Sequence, residues 1–151
     1  MTTPHIRIFP HNRDEFPSVD TLAAWLMTGL KARNGRYQLR SASAIADLAA
    51  GSIALFRHGH VVVGEAVVMR FCREPSRDRT LAGEEFEYEA FVEFMSSSIR
   101  IYAPPVSIET LQSFIGDSPN IVPSAQPYFK LDNWAVYPKL LAHISKSGSF
   151  L

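Results

Sequence analysis

Apolar positions cluster most densely between Gly51 and Phe71, in the run GSIALFRHGHVVVGEAVVMRF, and their spacing there has period two. Ile53 and Leu55 alternate with Ala54 and Phe56; after a His58-Gly59 turn, Val61 and Val63 alternate with Val62 and Gly64. This predicts one β-hairpin, Ser52–Arg57 and His60–Phe71, apolar on both faces and therefore buried inside a barrel or sandwich. Glu65 falls on the face otherwise held by Val61, Val63, Val67 and Met69. A bulge at Gly64 would shift the register and turn Glu65 outward, which is the expectation; the alternative is a buried carboxylate with a specific partner.

Around the hairpin the period changes. Residues 1–17 form an opening segment with a short strand at Ile6–Phe9, bracketed by Pro4, Pro10 and Pro17. Ser18 then caps a helix in which Leu22, Trp25, Leu26 and Leu30 recur at three- and four-residue spacing until Asn34-Gly35 stops it. A short strand at Tyr37–Arg40 and a helical turn or two at Ala44–Ala49 lead into the hairpin. Residues 73–86, REPSRDRTLAGEEF, read as a long polar hairpin connection. Phe86–Met95 alternates as a strand with one buried face. Ile99–Tyr102 is a further strand, ended by Pro104-Pro105, before Ser107 caps a short helix through Phe114. After a proline-rich loop, Tyr128–Leu131 is the last strand, and Asn133 or Asp132 caps a terminal helix with Trp134, Tyr137, Leu140, Leu141 and Ile144. The order predicts an α+β domain spanning residues 1–151, with a closed or nearly closed sheet.

Composition narrows the class. At 151 residues and 46% hydrophobic side chains the chain suits one domain with its own core. Met1–Pro10 lacks the apolar segment of a signal peptide, no run is long enough for a membrane span, and Cys72 is the single cysteine, so a cytoplasmic protein without membrane contact is expected. Formal net charge is zero, but the first 80 residues carry eleven Arg and Lys against seven acids, almost all of them arginine. Arginine suits bidentate contact with phosphate or a base edge; the alternative is scattered solvated charge.

Candidate chemistry is sparse. His58-Gly59-His60 brings two imidazoles together, fewer ligands than a metal site needs, so a solvated turn and no metal or other cofactor are expected. Cys72 beside Arg70 and Arg73 has no matching histidine and reads as a small core residue rather than a nucleophile. Phosphate-binding glycine loops, nucleophile elbows and zinc-protease motifs are missing from the sequence. The acidic run Glu84, Glu85, Glu87, Glu89 and Glu93 reads as a solvated patch, alternation placing the last three on a solvent face. Trp25, Tyr37, Phe56, Tyr128 and Trp134 lie in elements that would surround a barrel mouth, where aromatic faces near arginines can stack an unpaired base. Burial in the core is the other role open to Trp25 and Trp134.

The pattern Gly51-Ser52-Ile53-Ala54-Leu55-Phe56-Arg57 followed by Val62-Val63-Gly64-Glu65-Ala66-Val67-Val68 resembles the core of PUA-like domains, the superfamily of EVE, ASCH and YTH domains. The stretch FVEFMSSSIRIYAPPVSIETLQSF, then Gln126 and LDNWAVYPKLL, is similar to PUA-like sensor domains associated with modification-dependent restriction nucleases. Ser52 departs from the aspartate usual there. The resemblance implies a mixed β pseudobarrel of about five to seven strands flanked by short helices, with a cleft that admits one nucleotide of DNA or RNA, often carrying a modified base. It implies Trp25, Tyr37 and Phe56 as cage walls, His58, Ser124 and Gln126 as readers of the base edge, and Arg57, Arg70 and Arg73 as phosphate contacts. With no nuclease motif in the chain, cutting would require a partner protein. Two further classes remain open: a nucleotide or RNA hydrolase using Glu65 or His58 in the same cleft, and a protein- or small-ligand-binding module using residues 73–86 and the acidic strand.

Overall fold

The computed structural model describes residues 3–123 and 128–151. Its elements are β1 (Ile6–His11), α1 (Val19–Ala24) running on as a π-helical segment Trp25–Leu30, β2 (Arg36–Leu39), β3 (Ile53–His58), β4 (Val61–Cys72), β5 (Ser76–Arg79), β6 (Glu85–Tyr88), β7 (Ala90–Phe94), β8 (Arg100–Ser107), α2 (Ile108–Ile115), β9 (Lys130–Leu131), α3 (Val136–Ser147) and β10 (Ser149–Phe150). Eight strands share one mixed sheet, while β5 and β6 pair as a separate ribbon.

The hairpin of β3 and β4 is the centre of the sheet, as its pattern predicts. Along the main path the order is β10-β8-β4-β3-β1-β9, and the far half of β4 also pairs with β7, which carries β2. β1 lies parallel to β3, with Ile6 opposite Ile53 and Phe9 opposite Phe56, and residues 12–52, including α1 and β2, form the crossover that parallel pairing requires. Every residue of β3 is buried. Ala54 and Phe56 enter one core with Leu22, Leu26 and Leu30. Ile53 and Leu55 enter a second with Leu111, Leu140 and Ile144, under α2 and α3.

The ladder does not close. Among the described residues β9 pairs only with β1 and β10 only with β8, so the expected closed barrel is an open mixed sheet, with more strands than the five to seven expected. What separates its parts is β4, which changes partner along its length: Val61–Glu65 pairs with β8 and Val68–Cys72 with β7.

That division also decides Glu65. A bulge is present, since Phe56 faces Gly64 while Arg57 faces Val62, leaving Val63 as the extra residue. Yet Glu65 is not turned outward. It is 2% exposed and points into the second core. A strand covered on both faces has no solvent side for a displaced carboxylate to reach. Gly64 has a different task, because a Cβ there would lie 2.3 Å from the Arg100 carbonyl oxygen, so glycine lets β8 approach.

Other boundaries moved for local reasons. β8 continues through Pro104 and Pro105 because they fall between its two runs of pairing with β4, where no ladder N–H is needed. The polar stretch 73–86 contains β5 and the start of β6, joined by a tight connection in which Thr80 N donates to the Glu84 carbonyl. The single strand expected over Phe86–Met95 divides at Glu89, whose carboxylate accepts from Ala42 N at 2.9 Å rather than facing only solvent. Tyr128–Leu131 is not the last strand, since β10 follows α3. Ser18 caps α1 as expected, in a capping box with Thr21.

Candidate functional site

An open cleft of about 840 Å³ lies where the end of β1, the Phe16-Pro17 approach to α1, Trp25, β2, the β5–β6 ribbon and Tyr128 meet. Its size is that of a small-molecule or nucleotide site. Trp25 and Tyr37 form one wall, ring centroids 5.9 Å apart and nearly perpendicular. The Trp25 indole folds back over Gly29, where a Cβ would sit 2.5 Å from Cδ1. It opens the π-helical segment, a device that often marks functional positions. Behind this wall, fully buried Phe9 meets Tyr37 at 5.4 Å and Tyr128 at 5.3 Å, both edge to face. Tyr128 holds a left-handed backbone, φ 46°, uncommon for an aromatic residue. Burial pushes its phenol up to about 12.

Arginines line the outer side. Arg33 bonds Asp78 at 2.8 Å, and Gln38, which accepts from the Ser76 hydroxyl at 3.1 Å, helps fasten the ribbon to β2. Arg36 lies over the Phe91 ring at 3.9 Å, and its buried Nε has no hydrogen-bond acceptor among the described residues. Arg40 covers Phe86 at 4.6 Å, and Arg79 donates to the Gly83 carbonyl. Asp14 and Glu15 border the same cleft.

A buried relay fixes the Tyr37 hydroxyl. His11 Nδ1 is 3.1 Å from the Arg57 carbonyl and Nε2 is 2.7 Å from the Tyr37 oxygen. Burial, the dominant cause, lowers the His11 pKa to about 4, so the ring is neutral at pH 7. A carbonyl only accepts, so Nδ1 carries the proton and Tyr37 must donate to Nε2. Burial likewise pushes the Tyr37 phenol well above its ordinary value. Because the folded pKa of His11 lies below the unfolded one, its contribution to stability is complete above about pH 6.5 and is lost as pH falls towards 4. The expected observation is a His11 imidazole resonance that stays neutral by NMR until about pH 4, with urea midpoints declining over the same window. A His11 titration near 6.5 would contradict this assignment.

The expected site residues separate. Trp25 and Tyr37 line the cleft together, whereas Phe56 is fully buried behind Tyr37, stacked on it at 6.4 Å, and presents no face to a ligand. Arg57 is 3% exposed, and its guanidinium donates to the carbonyls of Gly59, Ile121 and Val122, which makes it a brace for the 121–122 loop rather than a free phosphate contact. His58 is buried with Nε2 2.7 Å from the Phe16 carbonyl, so the expected solvated turn is solvated only at Gly59 and His60. Arg57 and His58 border a separate hollow of about 610 Å³ at the hairpin tip. Arg70 pairs with Glu93 at 3.0 Å on the surface and Arg73 is exposed; neither lines the cleft. Trp134 donates to the Pro4 carbonyl, also away from it. Ser124 and Gln126 lie outside the described residues.

Arg33, Arg36 and Arg40 entered only as part of the arginine-rich first 80 residues, and His11 and Glu15 carried no expectation. A signal existed in RNGRYQLR, where three arginines surround Tyr37 within one turn and strand. Among the described residues no three His, Cys, Asp or Glu side chains are placed to share a metal ion, and no helix is long and apolar enough to cross a membrane. No protein-family model and no curated protein matches the chain.

Proposed function

We propose that the protein is a nucleic-acid-binding module of PUA-like kind that takes one base, extruded or unpaired, into the cleft between Trp25, Tyr37 and Tyr128. The observation that carries this is the pairing of an aromatic wall with Arg33, Arg36, Arg40 and Arg79 around one opening. Stacking supplies affinity for any base, and the arginines neutralise the flanking phosphates. Arg36 supports the phosphate role, since it lines the cleft and its guanidinium, stacked over Phe91, makes no ion pair among the described residues. A damaged or modified base leaves the stack at lower cost, which gives such a cleft a physical reason to favour modified targets. Binding without catalysis is the favoured role, because Glu65 points into the core under α3 and His58 is committed to a carbonyl.

Fluorescence anisotropy against single- and double-stranded DNA and RNA, plain or carrying modified cytosine, at two salt concentrations tests this. Affinity should fall with salt, and each of Arg33→Ala and Arg36→Ala should flatten the salt slope by about one. Trp25→Ala should weaken binding about tenfold to a hundredfold. Gly29→Ala, whose Cβ would push the Trp25 indole off its packing on Phe16 and Tyr37, should weaken binding and modestly lower the unfolding midpoint. Failure to bind every probe at low salt would overturn the proposal and favour a protein or small-ligand partner.

A further inference from the structure

At the aromatic end of the cleft the Tyr37 hydroxyl can accept a hydrogen bond but has no proton to give. The Tyr37 proton is committed to His11 Nε2, because His11 Nδ1 donates to the Arg57 carbonyl. The Tyr37 oxygen therefore offers only lone pairs to anything that reaches it. Glu15 borders the same space, and its charge is felt by the phenols of both Tyr37 and Tyr128. Its backbone is held by the Asn12 side chain at 3.0 Å, while its carboxylate makes no ion pair or side-chain hydrogen bond among the described residues. Asp14 stands beside it in the lining.

Base edges differ in what they bring to such a surface. Guanine presents N1–H and the N2 amine side by side, two parallel donors that match a carboxylate. Adenine and cytosine present one amine next to an acceptor nitrogen. Uracil and thymine flank their single N–H with two carbonyl oxygens, one of which would face the second oxygen of a carboxylate that takes the N–H.

We infer that the cleft selects a base with a donating edge, guanine first, the Glu15 carboxylate taking the paired N1–H and N2 amine. This rests on the cleft being the base site proposed above. Charge-assisted donation to a carboxylate supplies the preference, and the arginines on the opposite side serve the phosphates.

The test uses fluorescein-labelled nonamers of uridine and of deoxyuridine whose central base is guanine, hypoxanthine or uracil, with the intact protein and its Glu15→Ala and Trp25→Ala variants. Hypoxanthine keeps N1–H and lacks the N2 amine. The expected order is guanine, hypoxanthine, uracil, with guanine favoured over uracil on the order of tenfold or more. Glu15→Ala, at an exposed position, should collapse that ratio by weakening the guanine probe and strengthening the uracil probe. Equal binding of the three probes, each weakened by Trp25→Ala, would overturn the inference and leave the base site standing. A guanine preference that survives Glu15→Ala, or a preference for uracil, would also overturn it. Binding that ignores Trp25→Ala, or no binding at all, would remove the base site and the inference together.

Discussion

Replacing Phe9 by alanine is expected to cost about 3–5 kcal/mol of folding stability, with the cleft losing its backing at the same time. The ring has no solvent exposure and meets Tyr37, Phe56, Phe94 and Tyr128 with centroids between 5.3 and 6.0 Å. Truncation removes its transfer energy and leaves a hole that four other rings, each fixed by its own strand or loop, can fill only in part. Because β1 pairs in register with β3 through its backbone, the strand itself should persist. Urea unfolding of the variant should show a lower midpoint with an unchanged slope. Two cleft aromatics, Tyr37 and Tyr128, lean on this ring, so nucleic-acid affinity should drop under conditions where the variant is still folded. Phe9→Leu, which keeps more volume, should lose less on both measures. A cost below about 1 kcal/mol with unaltered binding would mean that the aromatic cluster is slack and does not set the cleft.

The parts of this fold that depend on local pattern were legible in the residues. Period-two alternation located β3 and β4, and Ser18 and Asn34-Gly35 bounded the first helix. What failed were steps requiring knowledge of what covers a face. Alternation placed Glu65 on the face of Val61 and Val63, which is the first core, and the expected bulge does move it to the other face; but only α2 and α3, more than forty residues later, make that other face an interior rather than solvent. Arg57 looked available for phosphate because its acceptors at Ile121 and Val122 are over sixty residues away. The proline rule ended β8 too early, since it judges a strand by its donors and not by whether its partner bulges at the same place. In the cleft, Trp25 and Tyr37 could be named from type and position, while Phe56, equally aromatic, sits one layer deeper because β3 is the centre of the sheet. Arginine placement was the weakest signal: Arg33, Arg36 and Arg40 gain meaning only once β2 folds against the ribbon.

The second large effect is expected at Glu65, on the side of the sheet away from the cleft. Its carboxylate accepts from Tyr102 at 2.8 Å, Tyr137 at 2.5 Å and Arg100 at 3.1 Å, joining β4 to β8 and α3. Glu65→Leu should cost about 2–3 kcal/mol, because it leaves the buried Tyr102 hydroxyl without an acceptor and removes the partner of Arg100. Tyr102→Phe alone should cost about 1–2 kcal/mol. The double variant should lose at least about 1 kcal/mol less than the sum, since removing donor and acceptor together leaves nothing unsatisfied between them. Strict additivity in urea titrations would show that the bond is not what holds this layer. An alkaline signature accompanies it. Burial first, then the Glu65 carboxylate, raises the phenol of Tyr102 well above its usual value and that of Tyr137 to about 12. A raised phenol contributes stability that is complete below about pH 10 and lost as pH climbs through the folded value, so the wild-type midpoint should fall between about pH 10 and 12 and fall less in Glu65→Leu. Nucleic-acid binding at neutral pH should be unchanged in the folded Glu65→Leu variant. Loss of binding, or of any turnover, on this one substitution would instead place the working carboxylate under α3 and favour a hydrolase.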